Sequence, residues 1–132
     1  MVVLTVDTSA RTELVDVTQK VREAVASVGA GTGFCMLYVP HTTAAVTINE
    51  SADPSVRSDI LKVMNEIVPW DANYRHLEGN SAAHIKTTLV GSSELVMVEK
   101  GRLVLGTWQG IFFCEFDGPR TRKLHVNLML GV

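Results

Sequence analysis

From Glu94 to Leu130 the apolar runs are short, mostly alternating, and separated by turn residues, and this limits the fold more than any other feature. Glu94 to Val98 and Arg102 to Leu105 are two such runs, joined by Glu99-Lys100-Gly101, which reads as a hairpin turn. Trp108 to Phe116 is a longer strand, and Asp117-Gly118 after it is a strong turn signal. Arg122 to Leu130 then places Leu124, Val126, Leu128 and Leu130 on one face, because side chains alternate along a strand. A chain that ends this way is no helical bundle. The residues before Glu94 must supply what packs on these strands.

They supply three helices and four more strands. Val21, Ala24, Val25 and Val28 recur at helical spacing, which predicts a helix from Thr18 to Val28. Asp16 with Gln19 resembles a capping box before it, and Gly29 stops it. A second helix starts at Pro54, with Asp53 as its cap, and carries an apolar stripe of Val56, Ile60, Val63, Met64 and Ile67 up to Pro69. A third is expected from Ser81 to Val90, capped by Asn80 and stopped by Gly91. Its Ala82, Ile85 and Leu89 fall on the core side, with His84, Thr87 and Thr88 opposite. Val2 to Val6, Thr12 to Val17, Phe34 to Val39 and Ala45 to Asn49 read as strands. Phe34 to Val39 is apolar at every position, as a central strand is. Gly29 to Gly33 reads as a plain turn, because a strand and not a helix follows it. The expectation is a single α+β domain of 132 residues, with helices against mixed or antiparallel sheets.

Composition excludes several classes of function. A net charge of −2 argues against a nucleic-acid binder. No apolar run approaches the ~20 residues of a membrane span, and the first ten residues do not read as a secretory signal. Cys35 and Cys114 lie in strand-like apolar runs with no zinc spacing, as reduced core residues of a cytoplasmic protein would.

The chemistry concentrates in Pro40 to Asp59, PHTTAAVTINESADPSVRSD, which begins where an apolar strand ends. Of its acids, Asp53 is explained by the helix start and Asp59 by solvation; Glu50 has no such structural reason and is the preferred acid. Together the three are also a possible Mg²⁺ set. His41, His76 and His84 lie off the apolar faces. They read either as ligands of Zn²⁺ or a similar divalent metal, or as three separate polar residues, since their spacing matches no compact zinc motif. Arg120 and Arg122 flank a tight turn, and Lys86 lies on the third helix; forked guanidinium groups suit phosphate oxygens. Trp108-Gln109 reads either as a cap over an aromatic ring or as core or subunit interface. Ser51, Ser81 and Ser92 lack the setting of a nucleophile.

The stretch Pro40 to Asp59 resembles the signature of the YjbQ (UPF0047) family. So do Tyr74-Arg75-His76, Asn80 to Lys86, and the tail from Gly101 to Arg122, in the family's order. The resemblance implies a small α+β protein that assembles as a homotrimer, with thiamine-phosphate synthase-like activity that is possibly secondary. In that reading Glu50 and His84 are catalytic. Asn49, Asn80, Lys86, Arg120 and Arg122 hold a small phosphorylated substrate, and His41, His76 and His84 converge on a metal. A metal- or metabolite-binding protein with another primary role is the alternative.

Overall fold

The computed structural model describes residues 1–131. Two antiparallel sheets and three helices form one α+β domain. The strands are β1 (Val2–Asp7), β2 (Glu13–Asp16), β3 (Thr32–Tyr38), β4 (Ala44–Glu50), β5 (Ser93–Glu99), β6 (Arg102–Leu103), β7 (Gln109–Glu115) and β8 (Thr121–Gly131). The helices are α1 (Thr18–Val28), α2 (Pro54–Ile67) and α3 (Ser81–Val90). The five-stranded sheet runs β1-β8-β3-β5-β6 and the three-stranded sheet β2-β7-β4.

The inner face of the larger sheet carries Val6, Cys35, Leu37, Val96, Val98, Leu124 and Val126. It packs against Val21 and Val25 of α1 and against Val46, Ile111 and Phe113 of the smaller sheet. The other face of the smaller sheet carries Phe112, Cys114 and Phe116, covered by Ala83 of α3 and by Ile60, Leu61 and Met64 of α2. Strand β7 is therefore sandwiched, which is why its residues from Gly110 to Glu115 are all buried. Burial pushes the Cys35 thiol up to about 11 and the Cys114 thiol up to about 12, so both are inert core groups.

Several local expectations hold. Asp53 caps α2 by accepting from the Ser55 amide at 2.9 Å. Lys100 (φ 51°) and Gly101 (φ 78°) form the β5–β6 turn, where both central residues need the left-handed region.

Others are corrected. Asp16 does not cap α1: Val17 occupies the cap, and Asp16 accepts from the Thr18 amide instead. The Asp117-Gly118 turn joins no hairpin, because β7 and β8 lie in different sheets. In α2 no residue is fully buried, and Val63 and Ile67 of the expected stripe face out, because the helix lies along the outside of the smaller sheet. In α3 the inward residues are Ala82, Ala83, Lys86 and Thr87, whereas Ile85 and Leu89 are exposed. Small side chains let this helix lie close against β4. Central strand β3 buries Cys35 and Leu37, but its outward Phe34 and Tyr38 stay exposed within the chain.

Candidate active site

The segment Val39–Thr43, between β3 and β4, is pinned to three neighbouring segments. The Val39 amide donates to the Ser92 carbonyl at 2.8 Å, and the Thr43 carbonyl accepts from the Phe116 amide at 3.2 Å. His41 Nε2 accepts from the Lys123 amide of β8 at 2.9 Å. Beside this segment lies an open cleft of about 900 Å³, lined among others by Tyr38, His41, Asn80, His84, Arg120 and Arg122. It forms where the ends of β3 and β8 meet the flank of α3.

The wall of the cleft is a buried ion pair. Glu115 is 0% and Arg122 2% exposed. Arg122 Nε donates to Glu115 Oε2 at 2.8 Å, and Nη2 donates to Glu115 Oε1 and to Thr43 Oγ1 and carbonyl oxygen. Glu115 also accepts from the Thr8 hydroxyl and the Asp117 amide, both at 2.9 Å. Burial pulls its carboxyl upward, but the hydrogen bonds from Arg122, Asp117 and Thr8 outweigh that and hold it below its ordinary value. These bonds fix the guanidinium plane and leave Nη1 without a partner among the described residues. Gly118 is required here: a Cβ would lie 2.4 Å from the Ala10 carbonyl oxygen and 2.7 Å from Glu115 Cγ.

A second layer stands at the rim. Asp117 Oδ2 accepts from Arg120 Nη2 at 3.0 Å and from Asn80 Nδ2 at 2.9 Å. Asn80 thus braces the rim instead of capping α3 with its side chain. Its Oδ1 and the hydroxyl of Thr87, which also lines the cleft, are buried without partners. Burial, then the charge of Arg122, lower the pKa of His41. With Nε2 accepting a hydrogen bond, its neutral ring carries the proton on Nδ1.

The fold therefore gathers five of the expected residues: His41, His84, Asn80, Arg120 and Arg122. Four are elsewhere. Asn49 and Glu50 end β4, and seven residues of strand put them roughly 20 Å from its start at Ala44. The stretch Pro40 to Asp59 is thus divided between two ends of one strand. Lys86 points away from the cleft, 1% exposed, with its ammonium on Asn65 Oδ1 at 2.5 Å and 5.9 Å from the Phe116 ring. Burial, then Arg11, lower its pKa. His76 meets His84 edge to face with ring centroids 5.5 Å apart, in a separate depression with Tyr74 and Ile85, and its Nε2 lies 3.8 Å from Glu78 Oε2. Trp108 is exposed beside the far end of β4, where its carbonyl accepts from the Ser51 amide.

Among the described residues no group of three His, Cys, Asp or Glu side chains is placed to hold a metal ion. His41 does not join the His76–His84 pair, and its Nε2 is already engaged. At the rim of the cleft Glu78 presents an exposed carboxylate, 3.8 Å from His76 Nε2, and Asp117 Oδ1 makes no hydrogen bond among the described residues.

Two residues that build the cleft wall and rim were not anticipated as site residues, Glu115 and Asp117. The signal for the first was present: a lone Glu between Cys114 and Phe116 in an apolar strand needs a cation, and Arg122 follows shortly after.

A family model described as UPF0047 protein YjbQ-like matches residues 2–131. The chain is similar to the UPF0047 protein YugU of Bacillus subtilis, at 50% identity over 96% of each chain. It is 49% identical to a UPF0047 protein of Methanocaldococcus jannaschii, over 94% of this chain and 90% of that one. Among solved structures it is similar to an uncharacterized conserved protein of the YjbQ/UPF0047 family from Clostridium acetobutylicum, with a TM-score of 0.95, 46% identity and coverage of 98% and 100%. A hypothetical protein from Aeropyrum pernix gives a TM-score of 0.93 at 40% identity, with coverage of 98% and 97%.

Proposed function

The chain belongs to the YjbQ-like UPF0047 family, and on that footing we propose that its cleft seats a small phosphorylated substrate in a transferase of thiamine-phosphate synthase type. The observation that carries the phosphate reading is Arg122. Its guanidinium is buried, held in one orientation by Glu115 and Thr43, and keeps Nη1 free at the cleft. A fixed guanidinium suits an anionic oxygen and needs no reorganisation when charge develops there. Arg120 at the rim adds a second fork, softened by Asp117.

The reaction is one such a site suits. The ring nitrogen of thiazole phosphate forms a bond to the exocyclic methylene carbon of hydroxymethylpyrimidine diphosphate. The carbon–oxygen bond breaks, and pyrophosphate leaves with the electron pair. The nitrogen becomes a thiazolium without losing a proton, so no general base is needed and stabilisation of the leaving group dominates. Arg122 and Arg120 would bear on pyrophosphate. Neutral His41 and His84 would orient the pyrimidine or a water. Glu50, at the far end of β4, takes no part within one chain. A divalent cation, when bound, would add Lewis-acid charge to the diphosphate, with Asp117 and Glu78 as the donors at hand. The homotrimer and a cytoplasmic setting belong to the same proposal; two unpaired, buried cysteines are consistent with the latter.

The test is incubation with hydroxymethylpyrimidine diphosphate and thiazole phosphate, beside calorimetry with pyrophosphate. Formation of thiamine phosphate, reduced at least tenfold in Arg120→Ala, supports the synthase. Pyrophosphate binding without product supports the phosphorylated-metabolite-binding alternative. Absence of both overturns the phosphate reading.

A further inference from the structure

The face of α3 that lines the cleft carries a hydroxyl with nothing to bind. Asn80, His84, Thr87, Thr88 and Gly91 recur along it at helical spacing. A threonine in a helix commonly gives its hydroxyl to the carbonyl one turn back. Thr88 does so, donating to the His84 carbonyl at 3.0 Å. Thr87 does not: it is 6% exposed, and its Oγ1 has no partner among the described residues. Buried hydroxyls left unpaired cost a fold stability and are rare. This one belongs to a side chain in the wall of the cleft.

Thr87 stands at the end of the cleft away from the cations. At the start of α3, Asn80 and Arg120 share Asp117 Oδ2. The Asp117 amide donates to Glu115, the acid that holds Arg122, so both guanidinium groups lie toward this end. At the close of α3, the Gly91 amide donates to the Thr87 carbonyl and the Val39 amide to the Ser92 carbonyl, both at 2.8 Å. These bonds bring Tyr38 to the Thr87 end. Two helical turns, roughly 10 Å, separate Asn80 from Thr87. Strand β8 covers about 10 Å from Arg122 to His125, the residue opposite Tyr38, so the two walls agree on the span.

The Thr87 end suits a flat group. Tyr38 is exposed and lines the cleft, offering its ring to another ring. Gly91, at φ 105°, leaves the wall bare beside it: a Cβ there would meet nothing within 4 Å. The polar groups on this stretch are the Thr87 hydroxyl and, one turn before it, the His84 ring. A hydroxyl and a neutral imidazole can each donate and accept. Such a pair matches the edge of a nitrogen heterocycle, where a ring nitrogen accepts and a neighbouring amino group donates. We propose that this end of the cleft is a subsite for an amino-substituted nitrogen heterocycle, and that Thr87 selects it through a hydrogen bond from its buried hydroxyl. The assignment rests on the phosphate reading above, which places the other end of the same ligand at Arg122 and Arg120. A ring of the same shape without nitrogen still stacks on Tyr38 but leaves the hydroxyl unpaired, and binds more weakly for that reason.

The experiment is calorimetry with three probes: inorganic pyrophosphate, hydroxymethylpyrimidine diphosphate, and benzyl diphosphate, which keeps a ring but lacks its nitrogens and amine. It compares the wild type with Thr87→Val, which keeps the shape and removes the hydroxyl, and with Thr87→Ser, which keeps the hydroxyl. Urea denaturation followed by circular dichroism reports the stability of each. The wild type should prefer the pyrimidine over the benzyl diphosphate by about tenfold or more. Thr87→Val should lose most of that preference by binding the pyrimidine diphosphate more weakly, and Thr87→Ser should keep it. The urea midpoint of Thr87→Val should equal or exceed that of the wild type, because the hydroxyl removed has no partner in the fold. A wild type that binds both ring probes alike, or a Thr87→Val variant with the full preference, overturns the assignment, while pyrophosphate binding still upholds the phosphate reading. A lowered midpoint in Thr87→Val also overturns it, since the hydroxyl then serves the fold. If the wild type binds none of the three probes, the phosphate reading and the assignment fall together.

Discussion

Removing Glu115 should destabilise the chain more than any single surface change. The residue is fully buried and accepts from Arg122 Nε and Nη2, the Asp117 amide and the Thr8 hydroxyl. Glu115→Ala leaves Arg122, 2% exposed, with only Thr43 to bind. An uncompensated buried charge of this kind costs about 3–5 kcal/mol. That is a large share of the roughly 5–15 kcal/mol that holds a domain folded. At a few degrees per kcal/mol, the melting temperature should fall by about 10–20 °C. Urea denaturation followed by circular dichroism measures the loss directly. Arg122→Met, and the pair Glu115→Ala/Arg122→Met, close a double-mutant cycle. Because an apolar replacement of both partners removes the stranded charge, the double variant should recover much of the stability lost in Glu115→Ala. A loss below about 1 kcal/mol for Glu115→Ala, or additive effects in the cycle, would refute the reasoning, since either means that Arg122 finds solvent or another partner without its acid.

Lys86→Met should leave pyrophosphate affinity unchanged in calorimetry, because Lys86 packs against Asn65 and Phe116 and not in the cleft; a tenfold loss would return it to the site. The pKa of His41 is lowered in the folded state, so the unfolded chain binds the extra proton first. Stability should then be full above about 6.5 and decline as pH falls from there toward the folded value. Equilibrium unfolding between pH 5 and 8 tests this, and a His41→Gln variant with the same slope in that window would acquit His41. Gly118→Ala should destabilise by about 1–3 kcal/mol, because its Cβ meets a backbone oxygen and the Glu115 stem; an unchanged urea midpoint would mean the turn yields freely.

Sequence by itself determined the class of fold and most element positions, because the signals for these are local. Period-two alternation placed β8, and Asp53 before Pro54 placed the start of α2. Lys100-Gly101 placed a turn that needs two left-handed residues. The first half of the site was legible for the same reason: His41 follows a strand end, and Arg120 and Arg122 flank a turn next to β8. Tertiary structure decided what depends on distance through space. Glu50 and His41 lie close in sequence, yet a straight strand holds its two ends apart, so the polar stretch is not one site. Glu115 and Arg122 belong to strands in different sheets, and only the layering of those sheets buries them against each other. The orientation of α3 was decided the same way. Helical period alone favours Ile85 and Leu89 as the buried stripe, but close packing on β4 selects Ala82, Ala83 and Thr87. That turns Lys86 inward, where Asn65 receives its ammonium, and leaves His84 on the flank that faces the cleft.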